Sequence, residues 1–369
     1  MNIAKTIPKG WEIKKIADLL DYERPDKYIV KSASYSDKNK IPVLTANKSF
    51  ILGYTDEDFG IYENVPVIIF DDFTTDSKFV DFAFKIKSSA IKILKARNEK
   101  VNIKFVYELM KSINFPVGNH KRYYISQYQE QEVATPPIKE QNKIAEILSS
   151  LDEGIKKVDQ EIKKTEELKR GLMAELLTKG IGHKKFKKTK LGMMPEEWRE
   201  IKFINCLDLD SLKKLKGIKK SEYQTIGHYP VFDQGQEFIS GYTNNEEFIN
   251  KNYPVILFGD HTRVVKFINQ TFAVGADGTK IFQGKRDVDT KFLYYSLLNL
   301  NIPNTGYNRH FKWVKESKIL LPLLPEQIEI AQIISDVDLK IEVNKNIKNK
   351  LAELKRGLMQ DLLGGRVRV

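Results

Sequence analysis

Apolar residues recur every three or four positions in two long stretches of the sequence, residues 136–177 and 322–363. This spacing averages about 3.5 residues, the period that keeps an apolar seam facing a partner helix. Prolines occur only near the start of each stretch, where a helix tolerates them. The pattern predicts two helices of about 40 residues and about 60 Å that pack on each other. The seam positions are Ile144, Leu148, Leu151, Ile155, Val158 and Ile162, then Ile330, Ile334, Val337 and Ile341.

The two stretches are copies of one another. A constant offset of 186 residues maps Gln141 on Gln327 and Gly171 on Gly357, and both copies close on Lys-Arg-Gly-Leu-Met. The chain is therefore a repeated unit of about half its own length.

Two polar residues interrupt the second seam. Asn344 stands where the first copy has Val158, and Lys348 stands where it has Ile162. A polar residue at one core position usually fixes the register of a coiled coil, and we predict that role here rather than ligand binding.

A β-rich region precedes each helix, and we call these regions the first lobe (residues 1–135) and the second lobe (residues 193–321). Short apolar runs alternate with Gly, Asn and Asp, which predicts a compact, irregular sheet in each lobe. Each lobe opens with a Pro-x-x-Trp motif, at Trp11 and Trp198. We interpret these tryptophans as apolar anchors for the first strand, and stacking on a nucleic-acid base is the alternative.

An apolar run in each lobe, residues 66–70 and 254–258, predicts a strand that is buried on both faces. Polar residues follow where the strand leaves the core, and loops held by a sheet often carry recognition groups. The alternative is that these Asp and Thr residues only cap a turn, and both interpretations stay open. The candidates are Asp72, Thr74, Asp260, Thr262 and Arg263, with Lys92 and Lys280 on the following strand pair.

An amphipathic helix is predicted next in each lobe, over residues 101–112 and 288–300, and a basic, aromatic loop follows it at residues 118–124 and 306–313. Arginine and lysine can bind guanine edges and phosphates, and asparagine can bind adenine. Because such loops occur at equivalent places and differ in their residues, we predict that each contacts nucleic acid. The candidates are His120, Lys121, Arg122, Tyr123, Tyr307, Asn308, Arg309, His310 and Lys312.

Composition limits the classes of protein that fit this pattern. The chain has 369 residues, 41% of them hydrophobic, enough for two or more cores. The single cysteine, Cys206, excludes a disulfide framework and a cysteine-based zinc site, and suits a reducing compartment. Residues 1–11 lack a signal-peptide pattern, and no apolar run approaches the roughly 18 residues of a membrane span. We therefore expect a cytoplasmic protein without a membrane partner.

The net charge of +12 favours a polyanionic partner. Each lobe carries only +3, so a nucleic-acid site must be a local patch. The excess lies in residues 180–192, which carry +5, and in Arg366 and Arg368. Solvated surface lysine is the alternative explanation of the total.

Signals for an enzyme are weak. An adenine methyltransferase is expected to carry an Asn/Asp-Pro-Pro-Tyr motif, but the one Pro-Pro pair lies at Pro136 and Pro137. A nuclease motif is incomplete, because no Glu-x-Lys closely follows the Pro25 and Asp26 pair. Five scattered histidines form no metal constellation. We expect no catalytic residue, metal or cofactor on this chain.

The joint order of these features resembles the specificity subunits of Type I restriction-modification systems. The matching features are Pro-x-x-Trp, a β-rich lobe, Pro-Pro-Ile-Lys-Glu-Gln or Pro-Leu-Leu-Pro-Glu-Gln, a long helix, and Lys-Arg-Gly-Leu-Met. The junction at residues 176–198 and the ending at residues 358–365 match as well. The resemblance covers essentially the whole chain, although the lobes are lean for this family.

The resemblance implies an α+β fold with an internal pseudo-two-fold duplication, in which two long antiparallel coiled-coil helices separate two target recognition domains. Each domain is expected to read one half of a split, asymmetric DNA site, and helix length is expected to set the unspecified gap. The implied parts are recognition domains at 1–135 and 193–321, a spacer helix at 136–179, a basic linker at 180–192, and a second spacer helix with a basic tail at 322–369.

The family also implies partners. Two modification subunits methylate adenine, and restriction subunits cleave double-stranded DNA, so S-adenosylmethionine, ATP and magnesium are expected only on those subunits. The alternative is a coiled-coil protein-interaction scaffold with two globular lobes. Salt-sensitive, sequence-selective binding to DNA would distinguish the two.

Overall fold

The computed structural model describes residues 7–46, 49–117, 121–208 and 215–369. The chain folds into two compact units. Unit 1 comprises Met1–Asp159 and Asn346–Val369, and unit 2 comprises Gln160–Lys345. Each unit therefore joins one lobe to one half of each long helix.

The described residues of the first lobe, in unit 1, form nine strands and two short α-helices, and the first long helix begins after it. The strands are β1 (Glu12–Lys15), β2 (Leu20–Glu23), β3 (Ile41–Leu44), β4 (Ile51–Thr55), β5 (Val67–Asp71), β6 (Ser77–Val80), β7 (Lys85–Ile86), β8 (Ile91–Ala96) and β9 (Glu132–Thr135). The helices are α1 (Ile16–Leu19), α2 (Ile103–Ser112) and α3 (Ile138–Lys179). The sheet orders are β2-β8-β5-β6 and β4-β3-β7, and β1 pairs with β9.

Unit 2 contains the second lobe and the start of the second long helix. Its strands are β10 (Phe186–Thr189), β11 (Gly192–Pro195), β12 (Arg199–Lys202), β13 (Tyr229–Phe232), β14 (Gly241–Thr243), β15 (Ile249–Asn250), β16 (Val255–Gly259), β17 (Val265–Ile268), β18 (Phe272–Val274), β19 (Thr279–Phe282) and β20 (Lys318–Leu321). Its helices are α4 (Thr290–Leu298), α5 (Phe311–Glu316) and α6 (Leu324–Leu363). The sheet orders are β14-β13-β18-β15 and β17-β16-β19, with β12 on β20 and β10 on β11.

The strands β5 and β16 are equivalent and occupy the centre of their sheets. Every residue in both strands is buried, which confirms the prediction of a strand covered on both faces. Each lies antiparallel between two neighbours, β6 and β8 in unit 1 and β17 and β19 in unit 2. A rigid central strand therefore ends at the same place in each lobe.

The helices α3 and α6 confirm the two predicted long helices and pack antiparallel within each unit. In unit 1, Lys355 of α6 contacts Asp152 of α3 at 2.6 Å. The corresponding residues of the repeat in unit 2 are Lys169 and Asp338. There the lysine lies on α3 and the aspartate on α6, and they are 2.6 Å apart. Equivalent ion pairs therefore occur once in each unit, as the duplication predicts.

The seam between the helices is most deeply buried where a lobe covers it. Ile144 and Leu148 are fully buried in unit 1, as are Ile330 and Ile334 in unit 2. Of the two polar interruptions, Lys348 forms an ion pair with Asp159, and Asn344 is half-buried. A register-fixing role for both residues stays a prediction.

The Pro-x-x-Trp motif and the Glu-Gln pair at the helix start contact each other. The indole N–H of Trp11 donates to the Glu140 carboxylate at 3.1 Å, and that of Trp198 donates to the Glu326 carboxylate at 2.9 Å. Both tryptophans are buried, which confirms their role as anchors. Because the two motifs lie about 130 residues apart, this contact ties the start of each lobe to its helix.

The glutamine of each Glu-Gln pair positions the amphipathic helix of the same lobe. Gln141 accepts a hydrogen bond from the backbone N–H of Asn102 at 2.9 Å, and Gln327 accepts one from the backbone N–H of Asp289 at 2.8 Å. These partners are the N-caps of α2 and α4. Both predicted ranges began two residues early, and the predicted end of α4 was two residues late. The repeated motif is therefore a set of contacts that fixes each lobe on the helices.

Candidate nucleic-acid interface

An aspartate just beyond β5 holds the base of the basic, aromatic loop in unit 1. Asp72 is 2% exposed, and its backbone N–H donates to the carbonyl of Ala90 at 2.9 Å. Its own carbonyl accepts from the N–H of Tyr123 at 2.9 Å, and its carboxylate accepts from the N–H of Tyr124 at 2.8 Å. A loop some 50 residues away in sequence is thereby fixed to the end of the central strand.

The same arrangement recurs just beyond β16 in unit 2. The backbone N–H of Asp260 donates to the carbonyl of Gly278 at 2.7 Å. Its carbonyl accepts from the N–H of His310, and its carboxylate accepts from the N–H of Phe311, each at 2.8 Å. All of these residues are the copies of their unit 1 counterparts, so the loop attachment is part of the duplicated frame. We call it the aspartate clamp.

The side chains around the two clamps differ. In unit 1, Lys92 is 4% exposed and contacts the carboxylate of Asp72 at 3.1 Å. In unit 2, the fully buried His310 contacts the carbonyl oxygen of Asp260 through Nδ1 at 3.0 Å. Because a carbonyl only accepts, Nδ1 carries the proton in this contact.

The structure separates the sixteen sequence candidates by accessibility. Five are buried, so their side chains do not reach the surface: Asp72, Lys92, Tyr123, Asp260 and His310. Eight are exposed: Thr74, Lys121, Arg122, Thr262, Tyr307, Asn308, Arg309 and Lys312. Arg263 and Lys280 are half-buried, and His120 lies outside the described residues.

The turn after each central strand contains a residue in the left-handed region, which side chains other than glycine rarely adopt. These residues are Thr75, with φ of 59°, and its copy Arg263, with φ of 61°. The guanidinium of Arg263 donates to the carbonyl of Ile302 at 3.1 Å. Residues in this conformation concentrate at functional sites. Here both copies of the repeat have one at the same position of the turn.

An aromatic ring follows each clamp aspartate, and sequence reasoning missed both. In unit 1 the guanidinium carbon of Arg122 lies 5.8 Å from the ring centre of Phe73. In unit 2 the ring of Tyr307 stacks on His261 with centres 4.5 Å apart and planes 10° apart. The offset of 188 that maps Asp72 on Asp260 also maps Phe73 on His261, and this was the signal that could have found them.

A second pair of copies, also missed, differs in charge. Tyr35 accepts a hydrogen bond from the Lys87 ammonium at 3.1 Å, whereas Tyr223 donates to the Asp233 carboxylate at 3.3 Å. Burial acts to raise the pKa of Asp233, but hydrogen bonds from the Ser240 hydroxyl and a backbone N–H outweigh it and lower that pKa. Tyr35 thus contacts a cation in unit 1, whereas Tyr223 contacts a carboxylate in unit 2 that also feels the charge of Lys266.

Two other kinds of feature are not found in the described part of the chain. Among residues 7–46, 49–117, 121–208 and 215–369, no group of three or more His, Cys, Asp or Glu side chains could hold a metal ion. The helices found there include none that is long and apolar enough to cross a membrane.

This architecture defines a class: a duplicated protein with two β-rich lobes on a pair of antiparallel helices, each lobe presenting a loop of its own composition. Residues 8–169 and 195–353 match the family model for the Type I restriction modification DNA specificity domain. The chain belongs to this family, whose members are the specificity subunits that recognise DNA sequence.

The individual proteins that this chain resembles are also specificity subunits of Type I systems. The chain is 25% identical over 411 residues to the Type I restriction enzyme MjaVIII specificity subunit of Methanocaldococcus jannaschii, covering 98% of this chain and 94% of that one. It is 45% identical over 143 residues to the EcoR124I/EcoR124II specificity subunit of Escherichia coli, over 37% of this chain and 35% of that one. The crystal structure of the S subunit from M. genitalium superposes with a TM-score of 0.73 at 17% identity, over 98% of both chains.

Proposed function

We propose that this specificity subunit reads a bipartite, asymmetric DNA site, with residues 1–135 and 193–321 acting as its two target recognition domains. The observation that carries the proposal is the aspartate clamp, which presents a basic, aromatic loop at the same place in both units. The frame is duplicated, but the residues it presents are not. Two loops of different chemistry would read two different half-sites.

The exposed candidates are the proposed DNA contacts. Arg122 and Arg309 can bind guanine edges through two parallel N–H groups, and Asn308 can bind adenine. Lys121 and Lys312 provide cations for phosphates. The five buried candidates act indirectly in this proposal, because they fix the loop rather than reach DNA.

The charge difference around Tyr35 and Tyr223 supports unequal half-sites. An ammonium such as that of Lys87 favours phosphates and guanine, which present acceptors. A carboxylate such as that of Asp233 repels phosphates and suits the amino group of cytosine. Both tyrosines pack on a glycine, Gly53 or Gly241, so the frame around them is shared.

The chain is proposed to act with other subunits in the cytoplasm. Two modification subunits would methylate adenines within the site, and restriction subunits would cleave DNA, each at the direction of this non-catalytic chain. S-adenosylmethionine, ATP and magnesium would bind to those partners. The lengths of α3 and α6 would set the gap between half-sites, and the basic segment at 180–192, which includes β10, would contribute favourable charge.

Methylated-base mapping of the source genome, with and without this gene, tests the proposal. The expected result is a split motif of modified adenines that disappears on deletion. The purified full-length chain should also enrich one split motif from a randomised duplex pool, with binding that weakens steeply as salt increases. An unchanged methylation pattern together with no enriched motif would reject DNA reading and favour the scaffold alternative.

A further inference from the structure

We propose that Phe73 and His261 are positioning residues for DNA reading, each a ring that holds one base-reading side chain of its loop. The inference rests on the proposed function and extends it to two residues that do not lie in either loop. The pair is equivalent under the duplication, and each ring follows a clamp aspartate directly.

In unit 1 the backbone of Phe73 is held in the turn, and the side chain that contacts its ring is a cation. The backbone N–H of Phe73 donates to the Asp71 carboxylate at 2.9 Å, which sets the direction in which the ring leaves the turn. The guanidinium of Arg122 lies over this ring at 5.8 Å. At this distance the guanidinium is within range of a cation–π interaction, and its N–H groups can still bind guanine.

In unit 2 the backbone of His261 is held in the turn, and the side chain that stacks on its ring is aromatic. The backbone N–H of His261 donates to the Gln234 side chain at 3.2 Å, and the Thr262 hydroxyl donates to the Gln234 carbonyl at 2.7 Å. Tyr307 is 85% exposed, yet its ring lies parallel to the imidazole at 4.5 Å. One face of the tyrosine is thus held by His261, and a nucleic-acid base can stack on the other.

The benefit of such a ring is that the reading side chain is ordered before DNA arrives. Arginine and tyrosine on an exposed loop otherwise lose rotamer freedom when they bind, which weakens binding. The two rings therefore perform one task with different partners, a cation on Phe73 and an aromatic ring on His261. Their separate effects should appear in separate half-sites.

The test uses the full-length chain and a randomised duplex pool, with the bound DNA sequenced. Phe73→Leu should broaden base preference in one half of the motif, the same half that Arg122→Ala changes. His261→Leu should broaden the other half, together with Tyr307→Ala. Phe73→Tyr and His261→Phe keep a ring and should retain the wild-type motif. The imidazole Nδ1 of His261 is buried without a hydrogen-bond partner in the described residues, so phenylalanine loses no such bond there.

Equilibrium binding of each variant to the enriched sequence measures how much DNA affinity is lost. Loss of one stacking contact at an exposed site should weaken binding about two- to five-fold. Arg122→Ala should cost less in the Phe73→Leu background than in the wild-type chain, because the two residues act through one contact.

Two results would overturn the inference while leaving DNA reading intact. Phe73→Leu or His261→Leu could enrich the wild-type motif, or either could degrade both half-sites equally, as a folding defect would. If the wild-type chain enriches no motif, the proposed function fails first and this inference fails with it.

Discussion

The carboxylate of Asp260 accepts a hydrogen bond from the backbone N–H of Phe311, 51 residues later in the chain, at 2.8 Å. Asp72 makes the same bond with Tyr124 in unit 1. The donor is a backbone N–H, at the end of the loop in unit 1 and at the first residue of α5 in unit 2, so the bond does not depend on which side chains the loop carries. A loop can therefore change its residues and keep its place on the sheet.

Removal of this acceptor should destabilise unit 2. Asp260→Ala leaves the N–H of Phe311 without its partner in a poorly solvated position, and we expect a loss of about 1–3 kcal/mol in the free energy of unfolding. Urea denaturation measures this loss of stability. Asp260→Asn keeps an acceptor oxygen and should lose much less, so equal losses for the two variants would contradict the clamp.

The duplicated ion pair offers a comparison within one chain. Lys355 is 7% exposed and contacts Asp152 at 2.6 Å and the fully buried Glu108 at 3.1 Å. Lys355→Met removes the shortest ion-pair contact of Glu108 and leaves it with Lys111 at 3.4 Å and Lys104 at 3.6 Å, so unit 1 should lose about 1–3 kcal/mol.

The matched control is Lys169→Met in unit 2. Its partner Asp338 is about one-third exposed and also accepts a hydrogen bond from the Tyr295 hydroxyl at 2.9 Å. We expect a loss of about 1 kcal/mol, as for a surface pair. Equal losses in denaturation of the two variants would mean that Glu108 is not the reason for the difference.

Arg368 should extend the stability of unit 1 toward acid. It contacts both oxygens of Glu140, at 2.6 and 2.8 Å. Burial acts to raise the pKa of Glu140, but the hydrogen bonds from Arg368 and Trp11 outweigh it and lower that pKa below 4.5. A lowered carboxyl pKa contributes stability that is present above the unfolded-state pKa and is lost as pH falls through the folded-state value.

Arg368→Gln should therefore shift acid unfolding to higher pH, as followed by circular dichroism. Arg366→Gln removes the same charge from an exposed pair with Asp361 and is the control. A shift of the same size in both variants would assign the effect to net charge.

Arg122 and Arg309 should each serve one half-site. Alanine at either position should relax base preference in one half of the motif and cost about 1–3 kcal/mol of discrimination there, while assembly stays intact. Sequencing of the enriched duplexes measures it. Arg286→Ala removes an exposed arginine outside the loops and should leave the motif unchanged.

The helices should act as the ruler for the gap. Seven residues inserted after Asp159 and seven after Lys345 lengthen both helices where the two units divide. The unspecified gap should grow by about three base pairs, from about 1.5 Å of rise per residue and 3.4 Å per base pair. The half-sites should stay the same, and an unchanged gap would show that helix length does not set it.

The sequence was most informative where one local pattern decides the outcome. The apolar seam predicted α3 and α6, and the apolar runs predicted β5 and β16, because period and burial follow directly from which residues are apolar. The burial of Asp72 and His310 was harder to predict. Their burial depends on partners some 50 residues away, and no local pattern reports whether a polar side chain faces solvent or returns to the chain.

Ring stacking was missed for the same reason. The offset of 188 aligns Phe73 with His261, but a phenylalanine aligned with a histidine does not by itself define a shared role. Only the positions of Arg122 and Tyr307 above the two rings reveal one.

The interleaved construction of the units has a consequence for synthesis. Unit 2 is one continuous segment, whereas the core of unit 1 includes Leu362 and Leu363, which the ribosome adds more than 220 residues after it finishes the first lobe. Until those leucines emerge, the nascent first lobe keeps apolar surface open to chaperones and proteases. A chain that stops before Leu362 would therefore leave the apolar core of unit 1 incomplete.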